Sequence, residues 1–193
     1  MPWRLVARHG ARVASQYVPS HRMALMARHD RFGRGGDHTA FNQHGLAGVR
    51  ITEANAHSGR QHTSEDTLDG ASRPYLLKNA RVNAAILASL ALAPPAPDCR
   101  GLPMLGRGPS GCDADLKRIA SPGAGGYRSY WREAWGPACQ REVATAAVTQ
   151  FVLPDVSIDD FVFGVAAVGA DGAESLMTAA VNPPRDESSV KVR

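Results

Sequence analysis

The 193-residue sequence contains few cysteines and no long apolar run. The three cysteines include no pair with the close two-residue spacing of a structural zinc site. No apolar run approaches the roughly 20 residues of a membrane-spanning helix. The start, MPWRLVARHGARVASQ, has neither the apolar stretch nor the small-residue cleavage site of a signal peptide. We therefore expect neither a membrane span nor an export signal in this chain.

Several catalytic motifs are also missing. The sequence has no G-x-S-x-G, no H-E-x-x-H and no cysteine with a plausible histidine partner, which argues against the usual serine, single-zinc and cysteine hydrolases. The glycine-rich stretch GRGGDH lacks the GK[ST] of a phosphate-binding loop, so a tight turn is the simpler interpretation. The sequence is compatible both with a disulfide between Cys99 and Cys112 and with free thiols. Cys139 lies far from both cysteines along the chain.

Acidic residues are scarce in residues 1–60, where nine arginines face only three Asp or Glu. The remainder has thirteen Lys or Arg against fifteen acids, and all seven histidines fall within the first 62 residues. A basic start can indicate nucleic-acid binding. Here the arginines are dispersed, no lysine precedes Lys78, and no nucleic-acid-binding motif is present. We therefore do not expect a nucleic-acid partner.

Hydrophobic periodicity predicts helices and short strands in the first half. The helix predicted between Ser72 and Pro94 is apolar nearly all round, so it needs cover on more than one face. Without such cover we expect an exposed apolar patch. The predicted elements are a helix at 3–17, a strand at 23–27, a loop at 32–41, a strand at 47–52, a long loop at 53–73 and a helix at 74–93.

After residue 97 the pattern changes. A Pro- and Gly-rich stretch leads into runs with strand-like composition at 127–132, 148–153 and 161–168, which is typical of a small antiparallel sandwich. The predicted fold class is therefore α/β followed by a small all-β sandwich. The predicted domains are 1–97, a linker at 98–112, the sandwich at 113–183 and a flexible tail at 184–193.

The long loop predicted at 53–73 contains one candidate metal-ligating segment, QHTSEDTLD at 61–69. One ring nitrogen of His62 can bind a metal while a nearby carboxylate or backbone group holds the other. A solvent-exposed histidine is the simpler alternative for such a loop. A third reading is that His57, Glu53, Asp66 and His62 together bind a stray divalent ion.

Two motifs and a helix, in this order, resemble part of a known catalytic domain. They are GGDHTAFNQHGLAGVRITEA, RQHTSEDTLDG and the helix that follows. This order of motifs is similar to the C-terminal third of the co-catalytic two-zinc aminopeptidases, which include secreted bacterial leucyl and broad-specificity enzymes. The resemblance runs from about residue 3 to 97. The later segment, with YRSYWREAW and FVLPDVSIDDFVFGVAAVGADGAES, resembles the fibronectin type III-like domain appended to some of these enzymes.

The resemblance implies a partial zinc-exopeptidase domain that removes N-terminal residues from peptide substrates with two zinc ions. His62 matches the last metal ligand of that family. Asp37, His38, Phe41 and Asp66 are expected to shape the substrate pocket or support that ligand. Where some members have a tyrosine before the final ligand, this chain has Gln61, so the oxyanion role stays unassigned.

The family's other ligands and its general-base Glu precede the matched region. We therefore expect a C-terminal fragment that has no catalytic residue of its own, binds zinc weakly at most and is inactive alone. Family resemblance implies a periplasmic or secreted location. The alternative is a non-catalytic interaction module centred on the sandwich, which binds a protein or a carbohydrate.

Overall fold

The two segments with helical periodicity form helices in the computed structural model, which describes residues 2–26, 35–55, 57–101 and 103–180. They are α1, Pro2–Tyr17, and α3, Arg73–Leu92, and both predictions are confirmed. Between them lie α2, Asp37–Gln43, and a single 3-10 turn, Leu68–Gly70. The chain divides into one unit at Met1–Ala91 and a second that begins at Leu92.

The first unit is held by an apolar contact between α1 and α3. Val13 and Ala14 of α1 are buried together with Val82 and Ile86 of α3. Gly10 allows close approach, because a methyl group in place of its hydrogen would lie 3.0 Å from the Ile86 Cδ1 atom. Met23, Ile51 and Leu90 pack around this small core.

Two histidines of the first unit also contact α3. The His21 ring lies 2.9 Å from Asn79 Oδ1 through its Nε2 atom and packs edge-on against Tyr75. His9 is buried, and its Nε2 atom lies 3.5 Å from the Ser89 hydroxyl. Burial, and secondarily the charge of Arg12, lower the pKa of His9 from 6.5 to about 4. His9 is therefore a neutral part of the packing at pH 7.

Both strands predicted in the first unit are wrong for the residues that the structure describes. Residues 22–26 and 46–53 have no regular structure, and Ala27 lies outside the described residues. A strand needs a neighbour to pair its backbone groups, and the described residues before Leu92 contain no strand. The loop predicted at 32–41 is also partly wrong, because α2 begins at Asp37, while residues 32–34 lie outside the described part.

The second unit is an antiparallel sandwich, as predicted. Its strands are β1 Leu105–Arg107, β2 Asp113–Lys117, β3 Ala124–Glu133, β4 Arg141–Ala146, β5 Gln150–Ser157, β6 Phe161–Gly169 and β7 Thr178–Ala180. One sheet has the order β1-β2-β5 and the other the order β4-β3-β6-β7. The predicted strand runs correspond to β3, β5 and β6.

The sandwich core is built from both sheets. Leu116 of β2 and Leu153 of β5 meet Tyr127, Phe163 and Val165 of the other sheet, and all five are buried. Alternation along the strands directs these side chains to one face. The fold class predicted from the sequence, an α-containing first part followed by a β-sandwich, is confirmed.

Residues 98–112, where the sequence predicts a linker, contribute to this sandwich. Asp98 bridges to Ile119, and β1 pairs with β2 from Leu105 opposite Leu116 to Arg107 opposite Ala114. Gly101 and Gly111 of this stretch have positive φ, which suits turns, whereas Gly106 lies within β1. Cys99, Cys112 and Cys139 are free thiols. Among the described residues, no helix has the length and apolar character needed to cross a membrane.

A charged network crosses the outer face of the larger sheet. The Tyr130 hydroxyl donates to the Glu174 carboxylate, and the other oxygen of Glu174 lies 3.3 Å from Arg128 Nε. Arg128 also reaches Glu142, with 2.5 Å between Nη1 and Oε1. Glu174 is buried whereas Glu142 is nearly half exposed. The buried carboxylate therefore depends on Arg128 and Tyr130 for compensation.

We predict that the first unit loses stability as the pH falls from 7 to 4. The unfolded chain binds a proton at His9 near pH 6.5, whereas the folded chain does so only near pH 4. The contribution of neutral His9 to the free energy of unfolding is therefore fully present above pH 6.5 and is lost as the pH falls below that value. The contribution is about 3 kcal/mol. Urea melts across this range check it, with His9→Gln expected to flatten the pH dependence. His44→Gln, which changes an exposed ring, is the control; an equal effect of the two variants would contradict the assignment.

We predict that Glu174→Ala destabilises the sandwich by about 2–3 kcal/mol, because Arg128 and the Tyr130 hydroxyl lose their buried partner. Glu142→Ala removes the exposed partner of the same arginine and should cost less than about 1 kcal/mol. Thermal or urea unfolding of both variants measures the difference. Equal costs would show that the burial of Glu174 has no energetic consequence.

Candidate metal-ligating loop and the helix before it

Residues 57–71 form a chain of tight turns. Backbone amides of Gln61, Thr63, Asp66 and Gly70 each donate to a carbonyl three residues earlier, at 3.1–3.2 Å. The long loop predicted at 53–73 is confirmed in the described residues, which form turns apart from the single 3-10 turn at Leu68–Gly70 and the first residue of α3. The hydroxyls of Thr63 and Thr67 add local hydrogen bonds to the backbone of Arg60 and Glu65.

A side-chain clamp joins the two ends of this loop. Arg60 Nη1 lies 3.3 Å from Asp69 Oδ2, and the Thr67 hydroxyl donates to the other oxygen of Asp69. The Thr63 hydroxyl donates to the Arg60 carbonyl at 2.7 Å. Thr67 first, and Arg60 second, lower the pKa of Asp69. We call Arg60, Thr63, Thr67 and Asp69 the loop clamp; His62 lies between its residues in the sequence.

His62 has a left-handed backbone conformation, with φ of +65°. This conformation is uncommon for a residue with a Cβ atom and costs about 1 kcal/mol or more. The turn bonds on either side hold it there. The imidazole is exposed to solvent, as is Asp66 four residues later. His62 is therefore accessible to a ligand.

A zinc centre does not fit the residues that the structure describes. Among them, no three His, Cys, Asp or Glu side chains are close enough to hold one ion. This overturns the stray-ion alternative of His57, Glu53, Asp66 and His62. Tight zinc sites need three or four ligands, so one exposed imidazole is insufficient. A metal ligand role for His62 stays a prediction.

The other predicted site residues lie on α2. Gly36 is extended, with φ of −163°, and its amide donates to the Thr39 hydroxyl at 3.3 Å, which starts the helix. Asp37 stands in the first turn, where a carboxylate is favourable. Asp37 and Phe41 are exposed, and His38 is half-buried. Their proposed pocket roles stay predictions.

Asn42 fixes the segment that follows α2. Its amide nitrogen donates to the Gly48 carbonyl, and its amide oxygen accepts from the Gly48 amide, both at 3.0 Å. Gly48 is needed because an added methyl group would lie 3.0 Å from the His38 carbonyl oxygen. Asn42 thus replaces the ladder that a neighbouring strand would provide and anchors residues 46–50 to α2.

Sequence reasoning missed Asn42 and the loop clamp as positioning residues. The sequence predicts Asp69 only as the last residue of the candidate metal-ligating segment 61–69, whereas the structure pairs it with Arg60 and Thr67. The arginine nine residues upstream was the available signal, because opposite charges at the ends of a short polar loop favour its closure. Nothing in the sequence indicates that Asn42 binds both backbone groups of Gly48.

Comparison with known proteins identifies relatives over most of the chain. A probable zinc metalloprotease of Pyrenophora tritici-repentis is 33% identical over 190 residues, covering 90% of this chain and 38% of that protein. Probable zinc metalloproteases of Leptosphaeria maculans and Pyricularia oryzae are each 32% identical, over 90% and 92% of this chain and 42% and 38% of theirs. The chain thus spans about two fifths of the length of these relatives.

The matched segment includes both the helical unit and the sandwich, since it covers nine tenths of the chain. No protein-family model matches the chain. One solved structure, of a Fn3-like protein from Clostridium thermocellum, is similar at a TM-score of 0.35 and 26% identity, over 44% of this chain and 85% of that one. The sequence identity over nine tenths of the chain shows that it is homologous to proteins named probable zinc metalloproteases.

We predict that Asn42→Ala releases the Gly48 amide. Without the Asn42 amide oxygen, the Gly48 N–H loses its hydrogen-bond acceptor. One such hydrogen bond contributes about 1 kcal/mol or more. Its loss should therefore open the segment more often and accelerate amide hydrogen exchange at Gly48 about tenfold. Asn83→Ala is the control, because Asn83 donates to the Asn79 carbonyl of its own helix. Unchanged exchange at Gly48 in Asn42→Ala would contradict the anchoring role.

Proposed function

We propose that this chain is part of a zinc-dependent aminopeptidase and contributes the metal ligand His62 to it. The observation that carries the proposal is the similarity of 90% of the chain to probable zinc metalloproteases. The ordered loop supports it, because the His-Thr-Ser-Glu-Asp-Thr segment is held in a fixed conformation with its imidazole exposed. Peptides are the proposed substrate class, and the bond cleaved is the N-terminal peptide bond.

The aminopeptidase specificity rests on the order of the two motifs. Gly36, Asp37, His38 and Phe41 precede the segment that begins at His62, in the order typical of two-zinc aminopeptidases. The family's location makes a periplasmic or secreted setting the proposed one. We propose neither a nucleic-acid partner nor a membrane span.

The 193-residue chain on its own is proposed to be inactive. A peptidase of this class needs a metal centre and a general base, and the described residues bring no third metal-binding side chain to His62. The chain can hold His62 in place through the loop clamp. The other ligands and the base must come from the remaining polypeptide of the enzyme.

We predict that the purified chain with added zinc does not hydrolyse leucine anilide above the buffer rate. Zinc titration by calorimetry should give only the weak affinity of exposed imidazoles, because no described group supplies three ligands. His62→Ala and His57→Ala, which remove exposed rings of the same loop, should lower this weak binding to a similar extent. Zinc-dependent hydrolysis that His62→Ala abolishes and His57→Ala leaves intact would show that the chain alone is a complete enzyme.

A further inference from the structure

One arginine of the sandwich is buried. Arg118 directly follows β2, and only 5% of the residue is exposed. Its backbone amide donates to the Thr149 carbonyl at 2.9 Å, just before β5. The guanidinium stacks on the Tyr127 ring of β3, with 4.2 Å between the Arg118 Cζ atom and the ring centroid. A buried cation is costly unless partners compensate its charge.

The contacts of Arg118 leave most of its donors without an acceptor. The Nη2 atom lies 3.5 Å from the Thr145 hydroxyl oxygen, which is long for a hydrogen bond. The Nε and Nη1 atoms are buried and have no hydrogen-bond partner among the described residues. Burial lowers the pKa of Arg118, and Tyr127 opposes this effect only in part. Because arginine keeps its proton in proteins, the guanidinium stays charged.

A second buried donor lies at the same tyrosine. The Tyr127 hydroxyl accepts from the Ser121 backbone amide at 2.8 Å, so Ser121 lies at the end of the ring whose face carries the guanidinium. The Ser121 hydroxyl oxygen is buried and, within the part of the chain that the structure describes, has no hydrogen-bond partner. We call Arg118, Ser121, Tyr127 and Thr145 the donor cluster.

The donor cluster lies directly beneath a surface turn. The Ala124 amide donates to the Ser121 carbonyl at 3.1 Å, and Pro122 and Gly123 between them are exposed. Gly123 has φ of +77°, as the third residue of a type II turn requires. The bond from the Ser121 amide to Tyr127 joins this turn to the sandwich core. A small ligand can therefore reach the cluster by displacing the turn.

We propose that the donor cluster binds a carboxylate. Arg118 supplies one positive charge, and the cluster contains no second Lys or Arg, so a singly charged carboxylate neutralises it. A phosphate, with a charge of about −1.5 to −2, would leave uncompensated negative charge in a buried site. A carboxylate accepts about four hydrogen bonds, which the N–H groups of Arg118 Nε and Nη1 and the Ser121 hydroxyl can supply. The inference does not rest on the proposed peptidase function.

The experiment titrates the full 193-residue chain with sodium acetate, with sodium chloride at equal ionic strength as the reference. Heteronuclear NMR follows the Arg118 Nε–H group and the Ser121 amide. We expect saturable shifts with acetate. At about ten times its dissociation constant, acetate should raise the melting temperature of the sandwich by about 4 °C relative to chloride. Inorganic phosphate should bind at least about tenfold more weakly.

Two variants of the cluster and one control identify the site. Arg118→Met removes the charge while keeping an unbranched side chain over Tyr127, and it should weaken acetate binding about tenfold or more. Arg107→Met removes an exposed arginine of β1 that pairs with Asp159, and it should change the affinity less than about twofold. Ser121→Ala keeps the backbone bond to Tyr127 and should weaken binding about fivefold. This variant decides the outcome where Arg118→Met does not fold.

The proposal is wrong if the parent chain shows no saturable response to acetate, because buried water would then satisfy the donors. It is equally wrong if the folded cluster variants bind acetate as tightly as the parent, or if phosphate binds more tightly than acetate. A parallel titration with the amide of N-acetylaspartate distinguishes two sources of the carboxylate. Tighter binding of acetate indicates a small organic acid, and tighter binding of the aspartyl compound indicates an acidic peptide segment.

Discussion

The helical unit depends on the contact between α1 and α3. Val13 and Ala14 of α1 are buried against Val82 and Ile86 of α3, and Gly10 permits the close approach. His9 of α1 contacts Ser89 of α3, and His21, which follows α1, contacts Asn79 of the same helix. The neutral state of His9 is a consequence of this packing, since burial removes water from its ring.

The loop and α2 obtain their order by other means. Hardly any apolar residue of segments 37–50 and 57–71 is buried, so local hydrogen bonds replace a core there. Asn42 bonds to both backbone groups of Gly48, and Asp69 accepts from Arg60 and Thr67. The candidate ligand His62 is therefore held by polar bonds on a unit whose stability comes from a small core.

The sequence was most informative where periodicity is strong. Helices α1 and α3 and strands β3 and β6 follow directly from apolar spacing, because burial dictates which positions are apolar. The two predicted strands of the first unit failed because β pairing depends on a neighbour, which apolar composition does not reveal. Strand β1 was missed since its Pro- and Gly-rich surroundings resemble a linker.

The candidate site was predictable in its residue types but not in its arrangement. The polar segment around His62 was predicted as a loop, which the structure confirms, whereas the Gly-Asp-His motif was predicted to lie in a loop and instead begins α2. The clamp partner of Asp69 and the left-handed conformation of His62 arise from turn geometry, which depends on all residues of the loop at once. A motif read residue by residue does not contain that information.

The closed loop has a thermodynamic consequence for any ion that His62 helps to bind. Because Arg60 and Asp69 are already in contact, the residues between them lose their backbone conformational entropy when the unit folds. Ion binding then carries little additional ordering cost in this segment, and its affinity is governed by the number and charge of the donors that converge on the ion.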